Sequence, residues 1–453
     1  MKKMLACSLA LAAAVAVSGA VSDAEGFVSL FNGKDLTGWI GATSSYGVEE
    51  GGILACQPGK GSGGNLLYDK EFENFILRFE FCMPTNANNG LGIRMPSPNV
   101  DGAYSGMCEL QIIDDGGDKY KNIKPYQHHG SVYGIVPARR DSDGKSLKKT
   151  AGNGSYLKPC GEWNFQEVRV IGSRIQVILN GIMITDADVS KFKGDGTDTM
   201  DGRKHPGLHR TKGYIGWLGH GYHVQWRNIR IKEVPADHVV GSDTTRPAPE
   251  GFKTLFNGKD LTNWKGVTTA EKFDRPLVRQ AATPEKRAEM QKIADKQMTD
   301  HWHVRDGALF FDGFNGGYSL ATAKDYKDFE MWVDWRILSV KGDSGLYLRG
   351  CPQVQIWDAH NQWGIGSGGL YNNKKNAHDA LAIADCQVGD WNRFYIKMVG
   401  DRVTVRLNGV LVVDNTVLEN YWDRKRPIFP CEQIELQCHG DPLEFRNIFV
   451  REL

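Results

Sequence analysis

The decapeptide LFNGKDLTGW at 30–39 returns as LFNGKDLTNW at 255–264. Such near-identity at that separation means that one structural unit was copied, so the fold must close within about half the chain. Five further blocks repeat in the same order. YDKEFENFILRFEF (68–81) answers TAKDYKDFEMWVDW (322–335), and NNGLGIR (88–94) answers DSGLYLR (343–349). ELQIID (109–114) answers QVQIWD (353–358), and GEWNFQEVRVIGSRIQVILNGIMI (161–184) answers GDWNRFYIKMVGDRVTVRLNGVLV (389–412). GHGYHVQWRNIRIKEV (219–234) answers CHGDPLEFRNIFVREL (438–453). A chain of 453 residues is also too long for one ordinary core. The expected domains are therefore 25–234 and 251–453, and residues 235–250, PADHVVGSDTTRPAPE, have linker composition.

Within each copy the apolar residues alternate with polar ones at period two, as in FILRFEF and RIQVILNG, with tight glycine turns between the runs. This predicts an all-β chain built as two tandem β-sandwiches. One segment breaks the pattern. At 283–301, TPEKRAEMQKIADKQMTDH, Thr283 can cap, Pro284 suits the first helical position, and apolar residues recur at helical spacing. The first copy has no counterpart, so a helical insertion on the outside of the second domain is expected.

The N-terminus reads as a signal peptide over 1–20: Lys2 and Lys3, then an alanine-rich apolar core, then small residues ending at Ala20. A lipoprotein role for Cys7 is the rival, but this cysteine precedes most of the apolar run. The expectation is an exported protein, periplasmic or extracellular, with no stable membrane insertion. Lysine plus arginine number 55 against 54 acids, which leaves no basic field for nucleic acid. Beyond Cys7 each half holds four cysteines and no CxxC pair, a pattern read as buried free thiols rather than a zinc site. GDSG at 342–345 imitates a protease nucleophile motif, yet it aligns with NNG in the first copy. GKGSGG at 59–64 lacks the ending of a phosphate loop.

Taken together, the matched blocks resemble the 3-keto-disaccharide hydrolase domain family, here in tandem. The resemblance covers nearly all of both domains. It implies a concanavalin-like jelly roll, export, and action on glycosides oxidised at sugar carbon 3, with an oligosaccharide or glycoside as the partner.

Polar residues on otherwise apolar strands carry the chemistry, because an unpaired buried charge is costly. Glu109 and Gln111 share one strand face, and Asp114 has the opposite parity. In the second copy Gln353, Gln355 and Asp358 stand at those places, so the carboxylate of Glu109 is lost there. Arg94 and Arg349 end the preceding strand, as ion-pair or sugar-binding residues. His220 and His439 occupy matching turns, as a base, a metal ligand or a turn residue. Arg227-Asn228 and Arg446-Asn447 read as fixing the last strand, and Asn180 and Asn408 as turn residues. The first copy also holds His128, His129, Tyr133, His205, His209 and His223. It is therefore the expected active unit, with Glu109, Gln111, Asp114, Arg94, His129 and His220 converging on one concave surface. Trp39, Trp217, Trp357 and Trp363 are candidates for stacking on sugar rings, whereas Trp163 and Trp391 read as core.

A ketone at carbon 3 acidifies the proton on carbon 2. A base (His220 or Asp114) can remove it, Arg94 or a divalent cation can hold the enolate, and Glu109 can protonate the leaving oxygen or ligate the metal. Water then adds back. An ordinary two-carboxylate glycosidase is a second enzymatic reading. A non-catalytic carbohydrate-binding jelly-roll pair is the reading from another class.

Overall fold

A computed structural model describes residues 23, 25–57, 63–100, 102–140, 154–240, 246–361 and 364–453. The expected signal peptide and Trp363 lie outside them, as does most of the 59–64 glycine run. The chain forms two tandem sandwiches of antiparallel sheets, each with an eight-stranded and a five-stranded layer. In the first, the eight-stranded sheet runs Ile182–Asp188, Arg174–Leu179, Asn164–Ile171, Phe75–Cys82, Gln225–Glu233, Ile53–Cys56, Tyr46–Glu49, with Val28–Ser29 also on Gln225–Glu233. Its partner sheet runs Trp39–Gly41, Gly64–Phe72, Gly213–Gly219, Asn88–Met95, Cys108–Ile113. The second sandwich repeats both orders with the matched blocks in the matched places, from Lys253–Thr254 to Leu443–Glu452.

Period-two alternation explains the layers. In Phe75–Cys82, Phe75, Leu77, Phe79 and Phe81 are fully buried between the sheets, and Arg78 and Glu80 point the other way. The repeated decapeptide proves to be architectural. Asn32 accepts from the backbone N–H groups of Lys34 and Asp35, and Asp35 accepts from that of Thr37. Asn257 and Asp260 do the same for Lys259, Asp260 and Thr262. These local side-chain bonds lock the turn, while Trp39 and Trp264 go to the cores. Asn180 is likewise structural: it accepts from Phe165 N–H and donates to Asn164 and to the Tyr156 carbonyl. Asn408 repeats this with Arg393, Asn392 and the Ala384 carbonyl.

The Arg-Asn doublet fixes a bulge in the last strand of each copy. Asn228 and Asn447 take left-handed φ values of 51° and 49°, a conformation that asparagine tolerates. Their amides donate to Glu80 and Asp334 on the neighbouring strand. Trp163 and Trp391 are not core. They are half-buried and lie under the guanidinium groups of Arg227 and Arg446, 4.0 and 3.7 Å from ring centre.

The expected helix is present at Pro284–His301, with Thr283 accepting from Lys286 N–H as its cap. Met290, Ala294 and Met298 form its buried stripe, and Ala294 abuts Gly266 on the edge strand Trp264–Gly266. A short helix, Pro276–Ala281, precedes it, outside the expected span. All eight described cysteines are free thiols.

The sandwiches pack through their eight-stranded sheets. Phe165 enters the second core, filling the space where Gly389 (φ 84°) has no side chain. Arg78 and Arg230 both bond Asp390 across the junction, at 2.7 and 2.8 Å. This contact covers much of the two eight-stranded faces.

Candidate active site on the five-stranded face

Strand Cys108–Ile113 turns Cys108, Leu110 and Ile112 inward and Glu109 and Gln111 outward. Glu109 stands opposite Gly92 and Gln111 opposite Gly90. Glycine is needed here to make room for neighbouring side chains: a Cβ on Gly90 would sit 2.7 Å from the Glu109 Oε1 atom and 2.9 Å from Leu218. On the other side the chain at 130–133 extends the sheet, with Tyr133 N–H donating to the Glu109 carbonyl at 2.9 Å. Tyr133 thus becomes the cross-strand neighbour of Glu109. Its ring meets Tyr126 and Tyr104 edge-on, at 5.8 and 6.3 Å. The Tyr104 hydroxyl donates to Asp201 at 3.0 Å, and Asp201 also pairs with His205 Nε2 at 3.0 Å.

Among the described residues no hydrogen bond or ion pair reaches the Glu109 carboxylate. Half-buried without compensation, it is pushed up to about 7 by desolvation. A carboxyl with that affinity is part-protonated at neutral pH and can give or take a proton. Gln111 is anchored by donating to Asn88 Oδ1 at 3.1 Å. Extending the Trp217–Leu91 register carries the exposed His220 to the same Asn88 end of the sheet.

The other expected residues go elsewhere. Asp114 is buried and caps Asn86 N–H at 2.7 Å, and Asp358 does the same for Lys341. Arg94 has a φ of 55°, which swings its side chain off the face to donate to the Gly172 carbonyl in the opposite sheet's hairpin turn. Arg349, φ 49°, reaches the Pro430 carbonyl. Burial depresses the pKa of both guanidinium groups. His129 is interior, stacked on Phe81 and bonded to Gln166 Oε1 at 2.8 Å, and burial lowers its pKa. Trp217 is a core residue, stacked on Trp226 at 4.7 Å, because its parity points it between the sheets. Trp39 and Trp357 are buried too.

The histidines do not gather: His128, His205 and His223 each have their own carboxylate, in Asp115, Asp201 and Glu49. Among the described residues no three His, Cys, Asp or Glu side chains converge to hold a metal ion. Two contributors escape sequence reasoning, Tyr104 and Tyr126, because two 3-10 turns, Ala103–Ser105 and Pro125–Gln127, bring them to Tyr133 without any repeat signal.

In the second copy Gln353 donates to Gln355, which donates to Asp343 Oδ1 at 2.7 Å. His439 Nδ1 lies 3.6 Å from Asp343. A carboxyl is nevertheless present one strand away. Glu435 takes the place of Gly216 and pairs across the sheet with Tyr347, which replaces Gly92. Glu435 is buried and pushed up to about 7 by desolvation, against the opposing pull of Arg279 and Gln433. Arg279, from the helix Pro276–Ala281, bonds Glu432 at 3.0 Å and sits 3.8 Å from Glu435. The insertion therefore places a cation over the second carboxyl. Aligning Gly216 with Glu435 could have revealed it from sequence.

A "3-keto-disaccharide hydrolase" of Bacteroides thetaiotaomicron is 26% identical over 245 residues, 46% of this chain and 79% of that protein. A solved structure described as a putative glycosyl hydrolase from Parabacteroides distasonis is 29% identical, covering 46% of this chain and 99% of that one, with a TM-score of 0.38. Another from the same organism is 22% identical, covering 47% and 95%, with a TM-score of 0.38. The family model for the 3-keto-alpha-glucoside-1,2-lyase-like domain matches residues 26–232 and again 251–451. The chain belongs to that family, which it contains twice.

Proposed function

We propose that the first sandwich cleaves 3-keto-glycosides on its five-stranded face. Family membership supports a carbohydrate-active protein. The observation that carries the finer reading is Glu109: a carboxyl uncompensated among the described residues, poised near neutrality, with Tyr133 as its cross-strand neighbour. His220 removes the proton on carbon 2, which the carbon 3 ketone acidifies, and the electron pair moves into the enolate. The bond from carbon 1 to its substituent breaks, and protonated Glu109 supplies the proton that the leaving oxygen needs. Water then adds across the resulting double bond, which gives net hydrolysis. Tyr133 and its two tyrosine neighbours offer an apolar wall for a sugar ring. Asp114 and Arg94 have no part in this scheme, since their side chains are spent on backbone partners. Should a divalent cation assist, Glu109 and His220 are the side chains on this face able to ligate it, and it would stabilise the enolate oxygen.

The protein is proposed to act after export, on the strength of the 1–20 segment. Among the described residues no helix is long and apolar enough to cross a membrane. The deciding experiment is incubation of the full chain with a 3-keto-disaccharide while following monosaccharide release. Turnover that vanishes in Glu109→Gln supports the assignment. Binding without turnover in the unsubstituted protein would instead leave a sugar-binding pair.

A further inference from the structure

The two Arg-Asn doublets are equivalent by the repeat, yet their arginines are not equally satisfied. Arg227 donates from Nε to Glu80 at 2.7 Å, and from a terminal nitrogen to Asn361 Oδ1, which the second sandwich supplies. Arg446 is nine-tenths buried, and among the described residues its Nε and Nη1 have no hydrogen-bond acceptor. Its nearest carboxylates, Asp334 and Glu25, stay at 3.7 and 3.9 Å.

The sequence explains the difference. Asp334 is one methylene shorter than its counterpart Glu80. Arg393, standing where the first copy has Phe165, grips both oxygens of Asp334 at 2.6 and 2.9 Å. Glu444 is held by Arg305 and Arg336, and Glu25 by Arg78 at 3.1 Å. Among the described residues no acceptor comes within hydrogen-bond distance of Arg446 Nε or Nη1, and the Glu25 Oε1 and Asp334 Oδ2 atoms that face it stop short. A buried donor without a partner is destabilising, the more so when charged, so an intrinsic partner would be expected unless something else fills the place.

Arg446 opens onto a cavity of about 400 Å³ between the two sandwiches. Arg336 shares that cavity, and both guanidinium groups lie on the Trp391 ring, at 4.7 and 3.7 Å. Like charge so close is unfavourable, and of the carboxylates that line the cavity Glu444 bonds Arg336 directly whereas none bonds Arg446. Burial, and then Arg336, lower the Arg446 pKa to about 10. Linker residues His238, Val240 and Arg246 line another side of the cavity, and Arg78 and Arg169 bring the first domain to it.

We infer that this interdomain cavity binds a small oxyanion, a phosphate or a carboxylate group, which takes the place at Arg446 that Asn361 and Glu80 take at Arg227. Because the walls come from both domains and the linker, the bound anion ties the two copies together.

The test uses the full chain at pH 7 and constant ionic strength, with inorganic phosphate, acetate or chloride as the probe. Phosphate or acetate should raise the melting temperature saturably beyond chloride, and titration calorimetry should find one site per chain. An effect of acetate alone identifies a carboxylate ligand, and of phosphate alone a phosphate. Arg446→Met keeps the apolar stem on Trp391, removes the donors, and should weaken binding at least about tenfold. Asp334→Glu guards against misfolding of that variant. Its longer acid should reach Arg446 as Glu80 reaches Arg227, satisfy it internally and also weaken anion binding. No difference among the three anions in the unsubstituted protein overturns the inference, as does an anion effect left unchanged in both variants.

Discussion

The five-stranded faces of the two sandwiches share a register but not a surface. In the first, glycines at 90 and 92 make room for the side chains of Glu109, Met95 and Leu218 to lie over the sheet, and Gly216 lets the Leu66 backbone approach. In the second, Tyr347 and Glu435 occupy two of those places, Gln353 replaces Glu109, and an inserted helix delivers Arg279 to the carboxyl. Both faces keep one carboxyl pushed up to about 7 by burial. What separates them is exposure and charge: among the described residues Glu109 is half-buried with no partner, and Glu435 is sealed beneath a cation. A duplicated scaffold can thus hold its buried framework constant while glycine exchanges and one insertion remake the working face.

The largest expected effect breaks the comparison outright. Glu109→Gln should reduce kcat on a 3-keto-disaccharide by roughly 100- to 10,000-fold, the usual cost of losing a proton-transfer group. Glu435→Gln should leave kcat within about twofold, well short of such a loss. The reverse pattern would make the second sandwich the catalyst. If Glu109 is the acid, the unsubstituted enzyme should also lose activity as pH rises through about 7.

His220→Ala should likewise cost roughly 100-fold or more in kcat if that imidazole is the base, whereas His439→Ala should matter little. Harm from neither change would reduce both histidines to turn residues and remove the base from the mechanism.

A stability measurement sharpens the contrast. The Glu109 pKa is raised from 4.5 to about 7 on folding, so between those values the native state holds the proton more firmly than the unfolded chain. Stability from this group is therefore present at low pH and declines as pH rises through the window. Every tenfold gain in proton affinity on folding is worth at most about 1.4 kcal/mol, less where solvent screens the group. Glu109→Gln should accordingly be more stable than the parent at pH 8 and lose that advantage at pH 4. A constant difference across chemical-denaturation curves at both pH values would disprove the burial argument.

The smallest effect tests the shared framework. Asn180→Ala and Asn408→Ala each remove matching hydrogen bonds and should each cost about 1–3 kcal/mol. Strongly unequal losses would show that the copies are less alike inside than the matched blocks indicate.

The sequence by itself determined the duplication, the strand content and the helix at 283–301, because each rests on local periodicity and capping that any fold must respect. It also marked Glu109 and Gln111 as neighbours, since period two fixes which residues share a strand face. It misjudged Arg94 because a left-handed residue at a strand end breaks that parity, and Asp114 because it could not show that the carboxylate is consumed by a backbone cap. Trp217 was misplaced although its parity was readable, since a tryptophan among apolar neighbours gives no sign of which sheet face is inward. Tertiary structure alone decided which tyrosines join Tyr133, that an arginine from the insertion reaches Glu435, and that Arg227 makes a hydrogen bond across the domain junction while Arg446 stops 3.9 Å short of Glu25. Such contacts join residues far apart in the chain, and their energies depend on ångström-scale distance and on shielding from water, neither of which is written in a linear pattern.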